Sequence, residues 1–257
     1  MHIKPAKSPY YCCCICEKGL PSQNDDAVLA GNAIIINGEH SSNPSGDFFV
    51  GVADGVSNSQ NGSLASRKTL ELLSSSKAFS RKNLCKLTLG IHEKIAQISK
   101  KNNYPSNMQT TLCALHVEKS GRIHYINVGD SRLYRFRSNK LVQISKDQSF
   151  VEMLYDKGKI SHEQKRIHSG RNLVLTAIGA DDGSIEPEIG EISESFDFGD
   201  IFLLCTDGLT DYVYDVDIES ILTLPLPLTQ RIKQLYELAL KNGSQDNISI
   251  ATLAKIK

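Results

Sequence analysis

Apolar positions fall into two rhythms along this chain. Runs that alternate, or that are rich in β-branched residues, occur at 33–37, 48–53, 110–117, 122–128, 131–137, 140–144, 201–205 and 247–253, and these predict strands. The links at 118–121 and 138–139 are too short for a crossover, so the strands they join must pair antiparallel. Helical periodicity covers 62–73, 81–101 and 228–241; in the last, Ile232, Leu235, Leu238 and Ala239 share one face. The first two helices follow one another as a pair between strands. Antiparallel hairpins with paired helices argue against a doubly wound sheet and for an α+β class, with sheets packed together and helices outside. No internal repeat or long linker divides the chain, which reads as one domain over 1–257. The stretch 148–182 departs from the pattern: polar, with short helical pieces and His162, Arg166, His168, Gly170 and Arg171, it predicts a surface excursion.

Composition narrows the partners. A chain of 257 residues can bury about 70–75% of its unfolded surface, enough for a real core. Lys plus Arg and Asp plus Glu each number 29, so no global field favours nucleic acid or an anionic membrane, and neither is expected as a partner. No run reaches the roughly 18–20 apolar residues of a bilayer span, and residues 1–10 lack the apolar core of a signal peptide. A cytoplasmic monomer is the expectation. The seven cysteines are odd in number; Cys85, Cys113 and Cys205 sit in apolar segments, and the cluster Cys12, Cys13, Cys14 and Cys16 reads as a strand whose thiols pack. Adjacent strand residues face opposite ways, so these four cannot ligate one metal together.

The candidate chemistry lies in four aspartates: Asp26 after Asn24-Asp25, Asp54 before Gly55, Asp207 before Gly208, and Asp246 before Asn247. Each sits beside an apolar run, where a turn can aim a carboxylate into a pocket. Singly, each is an ordinary turn or cap residue. Brought together they would repel unless a cation held them, and hard oxygen ligands without His or Cys at zinc-site spacing point to Mg²⁺ or Mn²⁺.

In order along the chain, Asn24-Asp25-Asp26, Ala53-Asp54-Gly55, Met108-Gln109-Thr110-Thr111, Asn127-Val128-Gly129-Asp130-Ser131-Arg132, Cys205-Thr206-Asp207-Gly208-Leu209 and Asp246-Asn247-Ile248-Ser249 resemble the motifs of the PP2C (PPM) metal-dependent serine/threonine protein phosphatases in their compact bacterial form. The resemblance implies a central β-sandwich of two mainly antiparallel sheets flanked by helix pairs, four layers in the order αββα. It implies two Mn²⁺ or Mg²⁺ ions at one end, with Asp54 bridging, the carbonyl of Gly55 adding a ligand, and Asp26, Asp207 and Asp246 supplying the rest. Asp130 resembles a ligand of a third, weaker ion, and Asp25 would act through water. The implied reaction is hydrolysis of phosphoserine and phosphothreonine esters on proteins, the products of a serine/threonine kinase, by water activated at the two metals.

Two departures stand against these matches. Where the family commonly carries an arginine that clamps the substrate phosphate, this chain has Pro21, which leaves Lys18 as the nearest cation to stand in. The turn Val56-Ser57-Asn58 lacks the family's usual glycine pair, and Val56 occupies the place of a histidine proton donor found in many eukaryotic members. The excursion at 148–182 corresponds to the bacterial flap, in which His162 and His168 read as solvated loop histidines. Thr110-Thr111 and Ser131-Arg132 read as strand packing and loop support. Two other readings remain: a catalytically weak phosphatase-like module that binds a phosphoprotein, favoured by Pro21, and a metal phosphohydrolase acting on small phosphate esters.

Overall fold

The computed structural model describes residues 8–56, 61–76, 81–101, 108–181 and 184–256. One sheet is built from β1 (Tyr10–Glu17), β4 (Gly38–Ser42), β8 (Arg132–Arg137), β9 (Lys140–Gln143), β11 (Ile201–Cys205) and β12 (Ile248–Lys255), in the order β4-β1-β12-β11-β8-β9. The other holds β2 (Asp26–Ala30), β3 (Ala33–Ile35), β5 (Phe48–Asp54), β6 (Leu112–Val117), β7 (Ile123–Val128) and β10 (Glu188–Glu191), in the order β10-β7-β6-β5-β2-β3. Every pairing among the described residues is antiparallel. The two predicted hairpins are β6-β7 and β8-β9. At the second, Ser138 and Asn139 take φ of 50° and 60°, the left-handed pair that matches the twist of a two-residue hairpin.

Period-2 alternation divides each strand's side chains between two cores. Between the sheets lie Cys12, Cys14 and Cys16 with Val50, Val52, Leu115, Leu204 and Leu253. On the outer face of the second sheet, Leu29, Ala53 and Ala114 meet Leu70 and Leu73 of α1 (Gly62–Ser74) and Leu84, Ile91 and Ile95 of α2 (Arg81–Lys101). On the outer face of the first, Cys13, Ile15, Leu203 and Ile250 meet Ile218 and Leu222 of α6 (Asp215–Leu222) and Ile232, Leu235 and Ala239 of α7 (Leu228–Lys241). The layers are therefore helix, sheet, sheet, helix, as expected. Residues 148–181 carry α3 (Phe150–Asp156) and α4 (His162–Ile167); Asp182, the far end of the predicted excursion, lies outside the described residues.

Among the elements that escape the apolar pattern, three strands and one helix do so for identifiable reasons. β4 reads GEHSS and has no apolar residue; it adds to β1 by backbone hydrogen bonding at the sheet edge. β10 reads EIGE, with a single isoleucine, beside β7. β2 is fully buried but only five residues long, and its first residue is Asp26 itself, so a segment read as a turn is the start of a strand. In α6, Asp215 and Asp217 occupy the first turn, where carboxylates suit the positive end of a helix, and they interrupt the apolar run.

The thiols follow the packing reading. Cys12, Cys13, Cys14 and Cys16 are at most 1% exposed, and every cysteine is unpaired. Burial pushes Cys13 up to about 11 and Cys14 and Cys16 up to about 12, so thiolate is scarce at neutral pH. A thiol-reactive chromophore should therefore titrate at most one site in the native protein, the half-buried Cys85, and all seven after denaturation. Rapid native reaction of three or more thiols would contradict the packing of β1.

Candidate metal centre

The four aspartates converge because each lies where a central strand begins or ends. The register of β2 on β5 sets Asp26 directly opposite Asp54. In the facing sheet β11 pairs with β12; Asp207 follows the end of β11 as the first residue of α5 (Asp207–Thr210), and Asp246 precedes the start of β12. Each sheet supplies two carboxylates at the same end of the sandwich.

Polar side chains staple the sheets together there. The hydroxyl of Thr206 donates to Asp26 Oδ2 at 2.9 Å across the sandwich, and also accepts from the Ser249 N–H at 3.1 Å. Asn247 uses every polar atom of its amide: Oδ1 accepts from the Asp25 N–H at 2.7 Å, while Nδ2 donates to the Lys18 and Gln23 carbonyls at 2.8 and 2.9 Å. Beneath Asp54, the Thr111 hydroxyl accepts from the Asp54 N–H at 3.0 Å, and the Thr110 hydroxyl donates to the Asp54 carbonyl at 2.8 Å. Thr111 also shares a 2.7 Å hydrogen bond with Ser131. Thr110 and Thr111 thus do more than pack a strand: they fix the backbone that carries Asp54.

Two glycines permit the approach. A Cβ on Gly55 would lie 2.4 Å from the backbone of Gly62 at the head of α1, and one on Gly208 would lie 1.9 Å from the Asn247 carbonyl oxygen. Asp25, expected to act through water, has a direct role as well. Its Oδ1 accepts from the Ser63 N–H at 3.0 Å and from Gln23 Nε2 at 2.7 Å, satisfying a free donor in the first turn of α1.

Electrostatics mark the cluster as incomplete on its own. Burial raises Asp54 well above the ordinary carboxylate range, and Asp26, Asp207, Asp246 and Asp130 push it further in the same direction. Asp207 is raised well above that range by burial and then by Asp130, Asp246, Asp211 and Asp26. Burial leads again at Asp26 and at Asp130, each pushed up to about 7, and at Asp246. Asp207 Oδ1 is buried and has no hydrogen-bond partner among the described residues. An orphaned carboxylate oxygen among mutually repelling carboxylates is what a hard divalent cation would relieve. The donor set therefore fits Mn²⁺ or Mg²⁺. Among the described residues no three His, Cys, Asp or Glu side chains are gathered closely enough to hold an ion by themselves. Water and backbone oxygen would have to complete it, as magnesium-type sites commonly require.

Asp130 is supported from behind. Arg132 grips Asp147 with Nε at 3.0 Å and Nη2 at 2.7 Å, and its Nη1 donates to the Tyr134 hydroxyl at 3.2 Å. That matches the loop-support reading of Arg132. A cavity of about 500 Å³ opens beside Asp130 and Asp207 and runs under the flap helices. Arg166 of α4 pins the flap to the end of α5, donating to the Thr210 and Asp211 carbonyls at 2.9 and 2.7 Å with its guanidinium 4.0 Å from the Tyr214 ring centre. Asp211, which the sequence reading passed over, lines this cavity and meets Arg171 at 3.5 Å. His168 accepts from the Gly170 N–H at 3.0 Å as a loop residue, and exposed His162 borders the cavity.

Pro21 is half-buried, and Lys18 is exposed in a separate cleft beside Asp26. The Val56 N–H donates to the Gln109 carbonyl at 3.0 Å; Ser57 and Asn58 lie outside the described residues. The protein phosphatase 2C profile matches residues 22–249, a span that takes in Asp26, Asp54, Asp130, Asp207 and Asp246. The chain belongs to the protein phosphatase 2C family. It is 30% identical over 227 residues to the serine/threonine phosphatase stp of Listeria welshimeri, a match covering 83% of this chain and 87% of that protein. It is 36% identical over 143 residues to the serine/threonine protein phosphatase PstP of Mycobacterium tuberculosis, covering 56% of this chain and 27% of that protein's length. The crystal structure of M. tuberculosis PstP superposes with a TM-score of 0.81 at 28% identity, covering 96% of this chain and 99% of that one. The PstP catalytic domain has also been solved in complex with two manganese ions; it matches with a TM-score of 0.78 at 26% identity, covering 96% of this chain and 100% of that one.

The raised carboxylates of this protein phosphatase 2C chain set a pH dependence. In the unfolded chain an aspartate ionises near pH 4, whereas Asp26 and Asp130 keep their protons in the fold up to about 7. Unfolding of metal-free protein then releases protons between these limits, so stability falls as pH rises through the window. His116, pushed below its ordinary value by burial, opposes the trend with one group. Calorimetry on chelated protein should give a higher Tm at pH 5.5 than at pH 7.5, with Mn²⁺ raising the pH 7.5 value most. A chelated Tm that climbs between these pH values would contradict the electrostatic account.

Proposed function

We propose that this chain is a metal-dependent phosphatase that hydrolyses phosphoserine and phosphothreonine esters on proteins, acting as a single phosphatase domain in the cytoplasm. One observation carries the reading: carboxylates from both sheets, with Asp207 Oδ1 buried and unpartnered among them. Asp54 would lie between two Mn²⁺ or Mg²⁺ ions, with Asp26, Asp207, Asp246 and the Gly55 carbonyl completing the protein ligands and Asp130 serving a third, weaker ion. The manganese ions in the PstP catalytic domain support the choice of cation. Divalent ions held there would lower the pKa of water and stabilise the attacking and leaving oxygens of an in-line displacement at phosphorus.

The chain's own residues would do the positioning. Thr206 fixes the orientation of Asp26 through Oδ2, Thr110 and Thr111 hold the Asp54 backbone, and Arg132 with Asp147 steadies the loop that carries Asp130. No side-chain nucleophile is called for. The cysteines of β1 are buried and protonated, and Val56 brings neither a proton donor nor an acceptor. With Pro21 in place of the arginine clamp, the hold on the transferred phosphate would rest on the metals. A binding module without turnover would have no use for an orphaned first-turn carboxylate, so the enzyme is the better reading.

Phosphate release from a phosphothreonine peptide tests it. Chelated protein should be inactive and Mn²⁺ should restore turnover. Asp207→Asn should cut kcat by roughly a hundredfold, about 2.7 kcal/mol of barrier. Full activity in chelator, or in the Asn variant, would refute the two-metal reading.

A further inference from the structure

The cleft that holds Lys18 shares no lining residue with the flap cavity. It has a volume of about 380 Å³ and is bordered by Asp26 of the candidate centre, so a substrate seated at the metals would run past it. Its walls include Ile36 and Leu64, apolar side chains that are 48% and 37% exposed. Its rim carries Lys18 from the segment after β1 and Arg67 from the second turn of α1.

The charge on that rim is unbalanced. Among the described residues Lys18 takes part in no ion pair. Arg67 meets Glu71 at 3.0 Å, but the same carboxylate also serves Lys68 at 2.8 Å. Glu71 is thus shared by Arg67 and Lys68, and among the described residues the one carboxylate lining the cleft itself is Asp26 of the candidate centre, against two cations. The flap cavity leans the other way: Asp130, Asp147, Glu163, Asp207, Asp211 and Asp215 line it against Arg132, Lys165, Arg166 and Arg171, of which Arg132, Lys165 and Arg171 are engaged with Asp147, Glu152 and Asp211. A polypeptide crossing the centre therefore meets a cationic, partly apolar cleft on one side and an acidic cavity on the other.

We propose that the cleft of Lys18, Ile36, Leu64 and Arg67 reads the polypeptide flanking the phosphorylated residue and selects a segment in which an acidic side chain adjoins an apolar one. The inference rests on the phosphoprotein-phosphatase reading. Exposed cations can bind an acid without the desolvation cost of a buried pair, and the paired Ile36 and Leu64 surfaces give an adjacent apolar side chain somewhere to go. A bare phosphoryl group would leave those apolar walls unused.

The test uses Mn²⁺-loaded protein and fluorescence anisotropy with hydrolysis-resistant phosphonate peptides that differ only in the residues around the phosphothreonine analogue: Asp-Leu pairs, Lys-Leu pairs or Ala-Ala pairs. Wild-type protein should bind the Asp-Leu peptide about fivefold tighter than the Lys-Leu peptide, as expected for an exposed ion pair, and the preference should shrink at high salt. Lys18→Gln with Arg67→Gln should erase the preference, and Lys18→Glu with Arg67→Glu should invert it. Both side chains are exposed, and an unchanged Tm will establish that the variants fold. No preference in wild type, a preference that survives the double Gln change, or an equal loss for all three peptides overturns the inference; the last result would make the two cations a phosphate clamp. Because the readout is binding, a preference in a protein that releases no phosphate from the matching phosphothreonine peptides would sink the phosphatase reading and leave the cleft assignment standing.

Discussion

The mutual repulsion of carboxylates at one end of the sandwich is the constraint on which the rest of the molecule turns. Asp26, Asp54, Asp207 and Asp246 reach that end from four strand termini, and each is driven toward its protonated form by burial, with neighbouring carboxylates adding to the effect at every one. Such an arrangement costs stability wherever the groups must ionise without a counter-ion. It persists because the elements around it are over-determined: two six-stranded sheets with apolar cores on all three interfaces hold the strand ends in place. The fold offsets a local destabilisation that the chemistry requires.

Hydrogen bonds across the junction convert that rough placement into an ordered site. Thr206 and Asn247 come from the first sheet's loops; Thr206 bonds to Asp26, the first residue of β2, and Asn247 to Asp25 and Gln23 just before it, so neither sheet can slide without breaking them. A buried donor or acceptor left unpaired costs about 1–3 kcal/mol. Asn247 satisfies three backbone groups at once, which ties the loop before β12 to the segment between β1 and β2. Asp207 Oδ1, by contrast, is buried with no hydrogen-bond partner among the described residues.

Much of this was legible in the sequence, and the gaps have physical causes. The Asp-Gly pairs at 54–55 and 207–208 could be recognised because close backbone approach demands glycine there. The alternation that buries Cys12, Cys14 and Cys16 on one face and Cys13 on the other followed from period 2 alone. β4 and β10 stayed hidden because edge strands are held by backbone pairing and need little apolar content. Thr206, Asn247 and Asp211 escaped notice as supports for a different reason: their roles are cross-chain contacts, and a hydrogen bond between residues 180 positions apart leaves no local signature. The dual task of Asp25, which caps α1 from outside the helix, was hidden in the same way.

The charge pattern around the centre adds direction to the chemistry. A cationic cleft beside Asp26 and an acidic cavity beside Asp207 lie on different walls, and the flap is fastened to the acidic wall through Arg166. Whether the carboxylate cluster is built around metal can be asked of the protein without any substrate. Diffraction from crystals equilibrated with Mn²⁺, recorded at the manganese absorption edge, locates the ions directly. The account predicts two strong anomalous peaks, both within ligand distance of the Asp54 carboxylate and one of them reached by Asp207. Peaks confined to other surfaces, or none beside Asp54 at saturating Mn²⁺, would contradict it.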